Sequence, residues 1–267
     1  MTDVQAAFLL TLLAGLSTGI GSAIALVFKK TNTRLLAGSL GFSAGVMIYI
    51  SLVELLPLSV TEASASLGPA AGWAAVGCFF AGILLTGVID ALVPEFENPH
   101  EARGIEKMDE AAPRPPDAKL LRMGLFSAAA IAIHNFPEGL ATFVSYLSNP
   151  VAGISIAVAI AIHNIPEGIS VSVPLYYSTG SRKKAFFYSF LTGLTEPLGA
   201  LVGYFLLAPF LTPTLMGLVT ALVAGVMVYI SFDELLPAAH EYGEHHVAIY
   251  SLVCGMAVMA VSLLAMK

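Results

Sequence analysis

Residues 130 to 139 read AIAIHNFPEG and residues 159 to 168 read AIAIHNIPEG, so a histidine, an asparagine and a glutamate recur at one spacing within apolar sequence. On a helix His134 and Glu138 stand one turn apart on the same side, with Asn135 about 100° further round, and His163, Asn164 and Glu167 repeat the pattern. Two such helices face to face make a cage of imidazole, carboxylate and amide groups, in which Glu138 and Glu167 are placed to bridge two adjacent ions. Mixed nitrogen and oxygen donors suit Zn²⁺, Fe²⁺, Mn²⁺, Co²⁺ or Cd²⁺ rather than Mg²⁺ or Ca²⁺. No thiolate joins them: Cys78 and Cys254 lie in separate apolar runs and read as buried free thiols. Coordination of this looser kind is what conduction requires.

The elements that must position these groups are unusually apolar. The 267 residues are 57% hydrophobic and 11% charged, with a mean hydropathy of +0.83, which excludes a soluble domain with one core. Nucleic-acid binding has no support in the charge pattern. Apolar runs at roughly 4 to 28, 35 to 60, 71 to 93, 121 to 147, 151 to 175, 185 to 211, 213 to 239 and 246 to 266 predict an all-α integral membrane protein of eight transmembrane helices. Residues 1–267 form one transmembrane domain, interrupted by a flexible, Pro-rich and charged loop at about 94–120.

Every Lys and Arg except Lys267 falls beside loops on one face, so the positive-inside rule makes that face cytoplasmic and both termini external. A second repeat reads AGVMIYISLVELLP at 44 to 57 and AGVMVYISFDELLP at 224 to 237, in the second and seventh spans. An odd shift in an alternating bundle reverses direction through the membrane. The expected architecture is therefore one of inverted repeats, with spans 1–3 related to 6–8 and span 4 to span 5, a symmetry that suits alternating access.

His134, His163 and Glu196 fall near the middles of their runs and so at one depth. No Lys or Arg lies within the spans to neutralise Glu138, Glu167 and Glu196, whose burial costs roughly 2.5 to 3.5 kcal/mol each on insertion scales. A metal ion supplies that charge. Pro137 and Pro166 each free a carbonyl, that of Ile133 or Ile162, to line a polar cavity. Glu54 toward the external end, and Asp233 and Glu234 toward the cytoplasmic end, are candidate vestibule residues; solvation of helix ends is the competing account. Asp90 reads as an interfacial charge. HEYGEHH at 240 to 246 is either a weak exit site for metal or a polar connector, and His100 has less claim.

With the doubled motif in hand, the chain resembles the ZIP family of divalent metal transporters, most closely its bacterial, ZupT-type branch. The resemblance covers essentially all eight spans. It implies import of zinc, with iron, manganese, cobalt or cadmium as further substrates, into the cytoplasm across the cell (inner or plasma) membrane, and no enzymatic activity. It also implies a first metal site of His134, Glu138, His163 and Glu167, and a second of Asn135, Asn164 and Glu196 sharing Glu138 and Glu167, a binuclear centre whose metal is substrate rather than cofactor. The partners are divalent metal ions and the lipid bilayer, and the sequence leaves open a homodimer.

Two other readings stay open. Inverted repeats are indifferent to net direction, so an exporter or exchanger is the alternative within transport. An intramembrane metallohydrolase would place H-E-x-x-H on one helix with a glutamate as base; here the order is H-N-x-P-E, with no separate base or nucleophile.

Overall fold

The computed structural model describes residues 2–27, 33–92, 132, 135–207, 210, 212–241 and 245–265. His134, His100 and the 94–120 loop lie outside them. The described chain is built of helices: α1 (Asp3–Val27), α2 (Thr33–Ile50), α3 (Leu56–Leu67), α4 (Ala71–Leu92), α5 (135–148), α6 (Pro150–Thr179), α7 (Arg182–Gly193), α8 (Thr195–Val202), α9 (Pro213–Ile230), α10 (Leu236–Glu241) and α11 (His245–Ala265). Asn149 separates α5 from α6 and caps α6, its Oδ1 accepting from the amides of Val151 and Ala152. The helix then runs unbroken through Pro166. It stops at Gly180, whose φ of 61° closes a left-handed C-cap on the carbonyl of Tyr176. Gly180→Ala is expected to lower stability by about 1 kcal/mol, read as a small fall in thermal midpoint in detergent.

Two kinds of irregularity interrupt the helices. Ser51–Leu55 and Ser231–Leu235 are π-helical segments joining α2 to α3 and α9 to α10, and they occupy the same place in the two copies of the 180-residue repeat. Such bulges are rare and cluster at functional positions. The sixth run, expected as one helix, is instead broken at Leu194. Pro197 lacks the amide that would bond to Gly193, so the helix restarts at Thr195 and Glu196 lies in the first turn of α8 rather than in mid-helix.

The helices pack as two groups. In one, α1 lies along α6, α7 and α8; in the other, α2 pairs with α11, and α9 with α3 and α4. Helix α2 meets α6 between the groups, where Ile156, Ala159 and Ile160 join Ala44, Met47 and Ile50 in one core. Glycines let backbones touch throughout. A Cβ on Gly168 would lie 2.0 Å from the carbonyl oxygen of Thr18, and one on Gly139 the same 2.0 Å from that of Glu196. Gly21 likewise abuts the Ile165 carbonyl, and Gly199 that of Phe136. Thr18 and Glu196, like Gly21 and Gly199, are 178 residues apart, while Gly139 and Gly168, like Phe136 and Ile165, are 29 apart. The α1–α6 contact is thus repeated, residue for residue, by α8 on α5. The second group repeats itself too: Gly45 abuts the Leu252 carbonyl as Gly225 abuts that of Phe79, and Gly255 meets Phe42 as Gly82 meets Leu222. Gly15 and Gly193, also 178 apart, face each other, a Cβ on either coming within 2.2 Å of the other's carbonyl oxygen.

Burial is inverted relative to a soluble protein. Trp73 is 85% exposed and Leu264 72%, whereas Asn135, Glu138 and Glu196 are at 0%. Apolar side chains outward and polar ones inward mark a multi-pass membrane protein. The same inversion corrects the expectation of buried thiols: Cys78 on α4 is half-buried and Cys254 on α11 exposed, though both are free. Among the described residues six stretches are long and apolar enough to cross a bilayer, against eight expected. One of the six, Ala37–Val88, runs from α2 into α4 and contains two expected spans, and only residues 132 and 135–148 of the fourth run are described.

Candidate metal centre

Helices α5 and α6 bring the two HN-PEG segments together. Glu138 and His163 form a buried pair: His163 Nε2 is 3.2 Å from Glu138 Oε1 and 3.3 Å from Oε2. On the other edge of the ring, His163 Nδ1 is 3.2 Å from the carbonyl oxygen of Ala159, one turn earlier, and its N–H donates there. With the proton on Nδ1 the Nε2 lone pair turns toward the carboxylate, and an imidazole and a carboxylate at this separation can hold a cation between them.

The asparagines are oriented by backbone. Asn164 Nδ2 donates to the carbonyl of Ala14 at 2.9 Å, and Asn135 Nδ2 to the carbonyl of Thr192 at 3.2 Å. Ala14 and Thr192 are again 178 residues apart, so the two amides are held in equivalent ways. Asn164 Nδ2 also donates to Glu196 Oε1 at 2.5 Å. With their amino groups committed, the two amides leave Asn135 Oδ1 and Asn164 Oδ1 buried without a hydrogen-bond partner among the described residues, as is Glu196 Oε2. A buried acceptor left unmatched costs about 1–3 kcal/mol, and oxygens of this kind are acceptors that a cation would satisfy.

The equivalence ends at one position. Where α8 presents Glu196, α1 presents Thr18, so the fold admits a single carboxylate from this pair. Glu167 is buried at 5% exposure. The basic side chains with described burial, Arg34, Arg182, Lys183 and Lys184, are all exposed. Two ligands on a tetrahedral zinc, each at 2.0–2.2 Å, are about 3.3 Å apart, which is the separation of His163 Nε2 from the Glu138 oxygens. Among the described residues no three His, Cys, Asp or Glu side chains converge into a closed metal cluster. The arrangement therefore offers one imidazole–carboxylate pair and a neighbouring set of amide and carboxylate oxygens, suited to an exchangeable ion.

The remaining sequence candidates lie elsewhere. Glu54 is half-buried in the Ser51–Leu55 segment, and Glu234 half-buried with exposed Asp233 in the Ser231–Leu235 segment, all in the second helix group. Asp90 is exposed at the end of α4, its Oδ2 3.5 Å from the Tyr229 hydroxyl. In HEYGEHH the rings of His240 and His245 are 4.4 Å apart and those of His245 and His246 5.5 Å apart, all three exposed, while residues 242–244 lie outside the described chain. One pairing had no signal in the sequence: the Ser148 hydroxyl at the end of α5 donates to Glu62 of α3, 86 residues away.

By sequence, the chain matches a known family and known proteins. The sequence profile described as "ZIP Zinc transporter" matches residues 92–263. The chain is 62% identical over 265 residues to a protein of Chlorobium luteolum named "Zinc transporter ZupT", covering 99% of each chain. It is 63% identical over 266 residues to a protein of that name from Chlorobium phaeovibrioides, again covering 99% of each. A Streptococcus mutans protein of the same name is 59% identical over 259 residues, covering 97% of this chain and 96% of its own.

Proposed function

Because the chain belongs to the ZIP zinc transporter family, a family of transporters rather than enzymes, we propose that it carries zinc and related divalent transition-metal ions into the cytoplasm. The observation that carries the reading is the buried Glu138–His163 pair at a ligand-to-ligand distance, beside the amide oxygens of Asn135 and Asn164 that have no hydrogen-bond partner among the described residues. In this reading His163, Glu138 and Glu167, with His134, hold one ion. Asn135, Asn164 and Glu196 hold a second, bridged by the shared glutamates. The ion exchanges its water for these ligands, and the burial penalty of the carboxylates is offset by its charge.

The one transporter domain has eight spans in inverted repeats, with both termini outside a plasma membrane and the 94–120 loop in the cytoplasm. The recurrence of the α1–α6 contact in α8–α5, and the mutual Gly15–Gly193 contact, support a pseudo-twofold axis in the membrane plane. Such an axis lets two halves exchange inward-open and outward-open roles around a fixed site. Sidedness follows the basic loops, and Arg182, Lys183 and Lys184 support a cytoplasmic start of α7.

The test is zinc uptake into vesicles of defined orientation holding the purified protein, with Mn²⁺ and Fe²⁺ as competitors. Zinc entering from the terminal side, displaced by the competitors and reduced about tenfold by Asn164→Ala, is the expected result. Flux only in the opposite direction would establish an exporter, and no flux would overturn the transport reading.

A further inference from the structure

A serine or threonine in a membrane helix ordinarily satisfies itself by donating to the carbonyl three or four residues back. Thr11, Thr86, Ser155 and Ser231 do so here. Six buried hydroxyls have no hydrogen-bond partner among the described residues: Thr18, Ser43, Thr142, Ser145, Thr214 and Thr220. Four of the six lie on just two elements, α5 and the first turns of α9.

Thr142 and Ser145 follow Glu138 at i+4 and i+7, so all three share one face of α5. Thr142 is 0% and Ser145 1% exposed. One turn beyond Ser145, Ser148 closes the row by hydrogen-bonding Glu62 of α3. Glu62 is half-buried, and its second oxygen, Oε2, is buried with no hydrogen-bond partner among the described residues. Helix α9 packs on the same α3 turn and on another face of α5. A Cβ on Gly217 would touch Ser59 O at 2.6 Å and Glu62 Cβ at 3.0 Å, and Met216 packs in one cluster with Phe143 and Val144 of α5. Thr214 and Thr220 stand three residues to either side of Gly217. The unmatched oxygens of Glu62, Ser145 and Thr142 therefore form a row that leads toward Glu138, over about 15 Å at the helical rise. Buried hydroxyls that forgo even their own backbone carbonyl have no structural return in a dry seam.

We propose that this seam is the outer access route for the divalent cation, with Glu62 its first protein ligand, Ser145 and Thr142 the stations that replace ion hydration on the way to Glu138, and the Ser148–Glu62 bond the contact that closes it. The inference rests on the transport reading above, which makes the Ser148 end of α5 external. Its chemistry is distinct from that of the midplane pair. Carboxylate and hydroxyl oxygens without nitrogen hold a divalent ion weakly, which an ion in transit requires.

The experiment uses the full chain in vesicles with zinc as the only probe. Glu62→Gln is expected to raise the external KM for zinc about tenfold while maximal flux stays within about twofold, because the site lost lies before the slow step. Independently, Ser145→Cys in a background of Cys78→Ser and Cys254→Ser reports the seam through a charged, membrane-impermeant thiol reagent added outside. Ser148→Ala should accelerate labelling about tenfold, and zinc should slow it. An unchanged KM in Glu62→Gln, or a Ser145→Cys thiol that stays unreactive with and without Ser148→Ala, overturns the route. Glu138→Gln is run alongside. If it keeps full flux the transport site itself is misplaced, whereas its loss of flux with a wild-type KM in Glu62→Gln defeats the access route alone. The labelling assay needs no change at Glu62, so it decides even where Glu62→Gln does not fold.

Discussion

Glu138→Gln is expected to abolish zinc uptake, with a fall of about 100-fold or more, while leaving the protein as stable as the wild type or more so. The side chains have the same size, so packing around a residue with 0% exposure is preserved. What changes is charge. Glutamine removes one of three buried carboxylates, Glu138, Glu167 and Glu196, that no buried Lys or Arg among the described residues offsets, which relieves the metal-free protein. It also replaces one of the oxygens facing His163 Nε2 with an amino group and removes the negative charge that draws a cation between the two side chains. Thermal denaturation in detergent separates the two effects. Zinc at about 100 times its Kd should stabilise the wild type by about 2.7 kcal/mol, and the variant should lose that increment without losing basal stability. Uptake surviving in Glu138→Gln would show that the buried pair is structural.

The second large effect concerns packing. Gly139→Ala and Gly168→Ala each drive a Cβ to 2.0 Å from a neighbouring backbone oxygen, that of Glu196 in the first case and Thr18 in the second. Neither neighbour is a flexible side-chain end that can swing away, so two helices must separate by more than an ångström. Overpacking of this kind typically costs 1–3 kcal/mol, and about 2–3 kcal/mol is expected for both variants from thermal midpoints. Similar losses in the two would reflect the equivalence of the contacts. Transport should not fall equally. In Gly139→Ala the displaced residue is Glu196, whose Oε1 is hydrogen-bonded to Asn164, and a shift of about 1 Å at a site can cost about 100-fold. In Gly168→Ala the displaced residue is Thr18, so a smaller loss is expected. Equal losses of flux would mean that Glu196 has no special part in the site.

Much of this protein was legible in its sequence because a membrane imposes simple rules. Lipid leaves a spanning backbone only helices or closed barrels, so apolar runs of about 20 residues predicted helices, which the described residues show apart from the break at Leu194. Polar groups are costly at that depth, so a doubled HN-PEG motif points to a site, and Asn135, Glu138, His163, Asn164, Glu167 and Glu196 are all buried. His134 lies outside the described residues and remains an expectation of the motif. The break before Glu196 was not expected from the apolar run, although Pro197 is its local cause, and beside it Gly193 meets Gly15 across the helix pair.

Other features were decided only in three dimensions. Periodicity places Asn135 and Asn164 on helix faces, but it cannot say that their amino groups are taken by the carbonyls of Thr192 and Ala14, which is what leaves the amide oxygens unmatched. Those partners are 57 and 150 residues away, and hydrogen bonds at such separations leave no local pattern. The exposure of Cys78 and Cys254, expected to be buried, turned on which faces of α4 and α11 meet other helices. In an apolar span both faces look alike in sequence. Glu62 and Ser148 show the same limit from the polar side: each resembles an ordinary helix-end residue, and only the packing of α3, α5 and α9 joins them. Sequence determined which residues are too costly to be accidental, because the price of burying a polar group is local. Tertiary structure decided which of their atoms go unmatched, because matching depends on the neighbour.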